Sequence, residues 1–171
     1  MHVEIDHFIQ EVKKKFPEYF QDKAVLEVGS QNINGSVRPY FKNCFYVGID
    51  LGEAPGVDLV VSITNYNTPL AFDVVISSEM LEHCAEWAEA LQQMFDNTKH
   101  GGIFILTCAG PTRQEHGTSR TSPGDSKFTL DHYRNISVED FISILPYELF
   151  SEHSLGLYRG DADLYFWGIK K

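Results

Sequence analysis

Glu27, Gly29, Ser30 and Gly35, followed by Asp50 21 residues beyond Gly29, are the residues whose types and spacing first suggest chemistry. They belong to VLEVGSQNINGSV (25–37), an apolar run that carries one acid and stops at a glycine, and to FYVGID, which ends on a second acid. A glycine at the end of a buried strand lets a ligand lie against bare backbone, and a second glycine near a helix start leaves amide N–H groups able to bind a carboxylate or other anion. An acid about 20 residues further on, ending the second strand, can accept hydrogen bonds from ribose hydroxyls. Together these residues describe a place for a nucleoside-bearing ligand. A dinucleotide fingerprint wants G-x-G-x-x-G. GSQNING instead has Gln31 where the second glycine would admit a pyrophosphate, which disfavours NAD and FAD.

A second set of reactive side chains lies in the stretch from Gly110 to Asn135, rich in Gly, Ser, Thr and Pro and holding Arg113, His116, Arg120, His132, Tyr133 and Arg134. Long loops in compact domains tend to be lids or binding segments. His116 is the best candidate there for a general base, since an imidazole titrates near neutral pH, and Tyr133 for orienting an acceptor. The loop's arginines point to an anionic group on that acceptor. His83, in MLEHC, reads as a packed or capped histidine. Glu79 and Glu82 stand three apart, but with no further acidic cluster beside them no metal is expected. Cys108, ending an apolar strand, reads as a small buried hydrophobe, and Trp87 and Trp167 as packing residues.

The elements that must position these groups alternate along the chain. Ile5, Phe8, Ile9, Val12 and Phe16 recur at spacings of three and four, one face of a helix that ends at Pro17. AVLEV (24–28), CFYVGI (44–49), VDLVVSI (57–63), FDVVIS (72–77) and GIFILTC (102–108) are apolar at successive positions, the pattern of parallel strands covered on both faces. Helices are predicted over 35–41 with Ser36 at the cap, over 86–97, and over 138–145 with Ser137 at the cap and Glu139 and Asp140 in the first turn. Two closing strands follow, joined by a turn within LYRGDAD. The expected fold is a Rossmann-like α/β sandwich: a mostly parallel seven-stranded sheet with a C-terminal antiparallel strand pair and helices on both faces, formed by residues 1–171 as one domain. In such a sheet, ligands settle beyond the carboxyl ends of the strands, where the strand order reverses.

Size and charge bound the function. A chain of 171 residues with 43% hydrophobic content can bury one sizeable core. A formal net charge of -10 repels phosphate backbones and anionic lipids, and the only basic run is Lys13-Lys14-Lys15, so neither nucleic acid nor membrane is an expected partner. Three scattered cysteines without CxxC spacing argue against a disulfide framework or a zinc site. The N-terminal stretch lacks the design of a secretory signal, and no uncharged apolar run is long enough to span a bilayer; a soluble, cytoplasmic protein is expected.

Through VLEVGS, YVGIDL, FDVVISSEMLEH, GGIFILTCAG and the closing strand pair, nearly the whole chain resembles the small class I S-adenosylmethionine-dependent methyltransferases of the methyltransferase-domain type. The resemblance implies that Glu27, Gly29, Ser30 and Gly35 hold the methionine part of the cofactor, Asp50 the ribose, and that Leu51 lies beside the adenine. Ser62, Ile63, Ser78 and Glu79 match family positions lining the adenine and methionine sites. It also implies methyl transfer to an oxygen or nitrogen of a small or medium polar acceptor, with S-adenosylhomocysteine as product. The departures are a glycine loop with only two glycines, Ser-Ile where many members place an acid after the third strand, and His100 where members often have proline. Two rival expectations are a non-catalytic protein that binds S-adenosylmethionine or S-adenosylhomocysteine, and an NAD-dependent oxidoreductase on a similar sheet.

Overall fold

The computed structural model describes residues 3–125, 127–129 and 131–171; Ser126 and Leu130, inside the 110–135 loop, lie outside them. The apolar stripe near the N-terminus forms α1 (Val3–Lys15), burying Ile5, Ile9 and Val12. Glu4 and Asp6 in its first turn and Lys13 to Lys15 in its last complement the helix dipole. The lysines serve the fold: Lys13 donates to the Tyr40 carbonyl at 2.7 Å and Lys15 lies 4.2 Å over the Trp167 ring. Pro17 starts a short 3-10 turn where the α-helix stops.

Seven strands follow: β1 (Ala24–Val28), β2 (Phe45–Asp50), β3 (Leu59–Val60), β4 (Phe72–Ser78), β5 (Thr98–Ala109), β6 (Phe150–Tyr158) and β7 (Asp163–Lys170). They form one sheet in the order β3-β2-β1-β4-β5-β7-β6. The first five run parallel, and β7 pairs antiparallel with both β5 and β6. The order reverses between β1 and β4, where Val28 is in register with Ser77 and the Ser77 hydroxyl donates to the Val28 carbonyl at 2.8 Å.

Successive strand residues point to opposite sides, and both sides are covered. Val25, Val74, Ile76, Ile103, Ile105, Tyr165 and Trp167 pack with α1. Leu26, Val75, Phe104, Leu106, Leu164 and Phe166 pack with α2 (Trp87–Asn97) and α3 (Val138–Ile144). Each fully buried side chain of this size contributes about 1.5–3 kcal/mol, so continuous apolar strands stay strands here because helices exclude water from each face. The fold is the Rossmann-like sandwich expected. At the start of α3, Ser137 caps the helix as expected, and Asp140 returns the hydrogen bond to complete a reciprocal capping box.

Two elements differ. No helix forms over 35–41: the segment holds only a 3-10 turn, Arg38–Tyr40, because Pro39 donates no N–H and Phe41 is extended. Ser36 still accepts a hydrogen bond, from the Arg38 amide at 3.1 Å. The expected strand 57–63 shrinks to β3, whose Leu59 and Val60 are exposed at the sheet edge. Asp58 leaves the strand pattern because its carboxylate accepts from the Gly48 amide and binds Arg38. No helix among the described residues is long and apolar enough to cross a membrane.

Candidate functional site

The carboxyl ends of β1, β2 and β4, with the segment after β3 and the 110–135 loop, enclose two adjoining cavities of about 430 and 590 Å³. Gly29, Asp50, Met80, His83, Phe128 and Thr129 line both. The second is mostly apolar, walled by Val28, Ile49, Leu51, Val61 and Ile63 with Ser62 among them; the first is the more polar of the two, with Glu27, Gln31, Ser78, Glu79, Arg113, Glu115, His116 and Lys127 set among apolar residues such as Ile33 and Val37. The loop roofs the cleft: the Phe128 ring lies so close to Gly52 that a Cβ there would come within 2.2 Å of it.

Gly29 has φ +78, and a Cβ on it would sit 2.5 Å from the Met80 Cβ, so only glycine turns the chain here. Its amide donates to the Ile49 carbonyl at 3.0 Å. Asp50 is held by two amides, Gln31 at 3.0 Å and Leu51 at 2.7 Å, one on each oxygen, which leaves lone pairs on both for a ligand. Ser30 is buried against Gly48 and Gly56 and lines neither cavity. The Gly35 amide, expected to face an anion, donates instead to the Asn32 side chain at 2.8 Å, and no helix begins there.

Glu27 is buried and accepts from the Tyr46 hydroxyl at 2.8 Å. Burial pushes its carboxyl up from 4.5 to about 7; the Tyr46 hydrogen bond and Arg38 pull down, while Asp50 and Asp58 push up. A carboxyl raised in the folded state stabilises that state below its unfolded value and loses the contribution as pH rises. The ligand-free protein therefore loses stability from this group as pH climbs through about 7. A cation placed in the first cavity would reverse that loss.

Beyond Glu27 the polar wall holds a second, denser cluster. Glu79 takes φ +54 at the end of β4, an unusual turn for a non-glycine residue, and sends the chain back so that Glu82 and His83 lie beside the end of β5. Arg113 binds the buried Asp163, and its other nitrogen lies 3.6 Å from Glu79. Burial raises Glu79 to about 7, against the pull of Arg113. Glu82 is fully buried, and burial, then the Glu79 charge, drive its carboxyl far above the usual range. Burial, with His116 acting the same way, drops His83 to about 4. The rings of His83, His116 and Tyr133 pack edge to face at 5.0 to 5.5 Å between centroids.

Of the loop residues singled out from the sequence, His116 lies on the wall of the first cavity and His132 on that of the second. Tyr133 lines neither; it donates to the Gln114 carbonyl at 3.1 Å and packs behind His116. Arg134 stacks 4.7 Å over Trp87 and Arg120 pairs with Glu115, so both serve the loop's own structure. Cys108 is fully buried. The association of Glu82 and His83 with His116 was missed from the sequence. The adjacent Glu-His pair just past a strand end, with another histidine in the loop after the next strand, was the available signal.

A family model described as a methyltransferase domain matches residues 26–106, which run from β1 through β5 and contain every strand end of the cleft except the last. Residues 26–106 of this chain, just under half of it, are similar to a methyltransferase domain. Solved methyltransferases share the fold. The 1,6-didemethyltoxoflavin-N1-methyltransferase of Burkholderia thailandensis, solved with 1,6-didemethyltoxoflavin and S-adenosylhomocysteine, superposes with TM-score 0.64 at 13% identity, over 95% of this chain and 78% of that one. The phosphoethanolamine N-methyltransferase 2 of Haemonchus contortus, solved with phosphomonomethylethanolamine and S-adenosylhomocysteine, gives 0.66 at 14%, over 96% of this chain and 52% of that one. A S-adenosylmethionine-dependent methyltransferase from Archaeoglobus fulgidus gives 0.62 at 14%, over 96% and 94%. No curated protein matches the chain by sequence.

Proposed function

We propose that this protein is a class I S-adenosylmethionine-dependent methyltransferase that transfers the cofactor's methyl group to an oxygen or nitrogen of a small or medium polar acceptor whose anionic group meets Arg113 and Lys127. The observation that carries the reading is the meeting of an apolar and a polar cavity at Gly29, Asp50 and Met80. An adenosyl sulfonium has the same division. Leu51, Ser62 and Ile63 would flank its adenine, Asp50 would accept from its ribose hydroxyls, and Glu27, Gly29, Gly35, Ser78 and Glu79 would surround its methionine part. Ser30 supports that wall from behind, through Gly48. The acceptor would take the rest of the polar cavity, where His116 stands with Tyr133 behind it. Because one sheet spans 24–170, the chain is read as a single methyltransferase unit.

Methyl transfer from a sulfonium is an in-line displacement, and holding nucleophile and methyl aligned can supply about 7–11 kcal/mol of the barrier. Roofing by Phe128 and anchoring of Asp50 by two amides are the features that would hold the cofactor in one pose.

Calorimetry with S-adenosylmethionine, S-adenosylhomocysteine and NAD tests the cofactor assignment: only the first two should bind, whereas an oxidoreductase would bind NAD. A radiolabelled-methyl screen over metabolite pools then separates turnover from mere binding; label that stays on the cofactor with every pool would overturn the enzyme reading. Asp50→Ala is expected to weaken S-adenosylhomocysteine binding by about 1.5–3 kcal/mol, the worth of a charge-assisted hydrogen bond, roughly 10- to 150-fold in Kd. Unchanged affinity would remove Asp50 from the ribose role.

The state of Glu27 adds a pH signature. If its carboxylate receives the methionine ammonium, binding must pull the carboxyl down from about 7. Affinity then falls as pH drops below that value, approaching tenfold per pH unit. Glu27→Gln should weaken binding at pH 8 and flatten the profile below it. A wild-type profile flat across this range would place the ammonium elsewhere.

A further inference from the structure

Where the two cavities adjoin, one cluster is unfinished as a purely protein structure. Glu82 is completely buried, and although the amides of Glu82 itself and Ala109 lie near its carboxylate, no side chain among the described residues hydrogen-bonds to either oxygen; Nδ1 of His83 is buried without a partner. Polar atoms left in this state need either a proton or a cation.

The two imidazoles are turned toward the same point. His116 places Nδ1 3.2 Å from the Gln114 carbonyl, so it donates there and leaves the Nε2 lone pair free, 3.8 Å from Glu82 Oε1. His83 hydrogen-bonds to the main chain of His132, and since its Nδ1 has no partner, that bond belongs to Nε2. Each ring therefore spends one nitrogen on backbone and keeps the other available, the arrangement by which outer partners fix the tautomer of metal-binding histidines. One ligand atom from each of Glu82, His83 and His116 lies within 4.8 Å of the others. An ion held at about 2.1 Å sets neighbouring ligands roughly 3–3.5 Å apart; a small rotation of His116, half-buried on its loop, closes that difference.

We propose that Glu82, His83 and His116 bind one divalent first-row transition cation, with open coordination positions facing the polar cavity that take a hydroxyl oxygen of the acceptor. Two imidazoles and one carboxylate suit Zn²⁺, Fe²⁺, Co²⁺ or Mn²⁺ better than Mg²⁺ or Ca²⁺, which prefer oxygen. Three protein ligands leave room for water or substrate, as at catalytic metal sites. His83 lines both cavities and His116 the polar one, so the open side faces the place assigned to the acceptor. The cation lowers the pKa of the bound hydroxyl, whose proton passes to solvent through the cleft. The alkoxide oxygen forms the bond to the methyl carbon, the carbon–sulfur bond breaks, and its electron pair neutralises the sulfonium as S-adenosylhomocysteine. Oxygen is thereby selected over nitrogen, and His116 acts as a ligand, not as a base. The acceptor clause rests on the methyltransferase reading; the metal site does not.

The test begins with chelator-stripped full-length protein titrated with Co²⁺ and followed by visible absorption and by elemental analysis after desalting. One equivalent of cobalt with d–d bands is expected, displaced by Zn²⁺ and not by Mg²⁺. Glu82→Gln, His83→Gln and His116→Asn should each abolish it. Glu82→Gln removes a buried acid at constant volume, so its metal-free Tm should equal or exceed that of the wild type, while the upward shift in Tm produced by Co²⁺ disappears. Sub-stoichiometric cobalt, or binding that survives Glu82→Gln, overturns the site. With Mn²⁺ loaded, enhanced water-proton relaxation reports open positions; no enhancement overturns the acceptor clause. S-adenosylhomocysteine calorimetry on the stripped protein keeps the readings apart. Cofactor binding without cobalt binding sinks the metal site alone, and cobalt binding without cofactor binding sinks the cofactor assignment alone.

Discussion

Arg113→Met is expected to destabilise the protein by about 3–5 kcal/mol, the cost of leaving buried charge uncompensated, and to lower Tm by on the order of 10 °C for a chain of this length. Arg113 joins β7 to the loop over the cleft: it binds Asp163, whose side chain is 2% exposed, and faces Glu79, with only 13% of its own side chain exposed. Asp163 also accepts from the Tyr165 hydroxyl at 3.2 Å and Arg159 at 3.3 Å, so it has support but no second buried cation. The loop hangs on the same residue, because Asn135 donates to both the Pro111 and Arg113 carbonyls at 2.9 Å. The double variant Arg113→Met, Asp163→Asn should recover a good part of the loss, since it removes both halves of the pair. Urea denaturation measures both. A loss below about 1 kcal/mol would mean that Arg113 behaves as an exposed ion pair, contrary to its burial.

What could be read from the chain, and what could not, follows from the range of the forces involved. The strands β1, β2, β4 and β5 were legible because each is an apolar run too short for a helix and closed by Gly29, Asp50, Ser78 or Ala109, local signals that do not depend on partners. Gly29 and Asp50 were legible as neighbours because parallel strands align their carboxyl ends, and both line the same two cavities. The segment 35–41 was misread because Ser36 as a cap was weighed over Pro39, whose missing N–H leaves room for one turn only. β3 was overextended because Leu59 and Val60 look like a core strand; no helix covers that edge, and both are exposed. Ser30 carries the same family match as its neighbours but points away from the cleft, a matter of backbone direction after the positive φ of Gly29. The cluster of Glu82, His83 and His116 was the least legible feature. His116 reaches it only because β5 runs between them and the loop after β5 folds back, and no local pattern encodes that return.

Gly29→Ala tests the turn on which the cleft depends, and a second glycine elsewhere supplies the control. Gly29 and Gly101 share a positive φ, +78 and +74, so an alanine at either carries left-handed strain of about 1–2 kcal/mol. Their surroundings differ. A Cβ at Gly101 meets nothing within 4 Å, whereas one at Gly29 lies 2.5 Å from Met80 Cβ and 2.6 Å from its Cγ. Met80 cannot yield at its Cβ without moving the backbone that leads from β4 into Glu82 and His83. Gly29→Ala should therefore add an overpacking penalty of about 1–3 kcal/mol to the strain, and the difference between the two variants in urea denaturation measures that penalty directly. S-adenosylhomocysteine affinity should separate them more sharply. It should stay at the wild-type value in Gly101→Ala, which sits at the opposite end of β5 from the cleft, and drop at least about 100-fold in Gly29→Ala, where the methyl group stands in the shared wall of both cavities. Equal stability losses would show that Met80 gives way at no cost, and equal affinities would mean that the cofactor does not approach the backbone at Gly29.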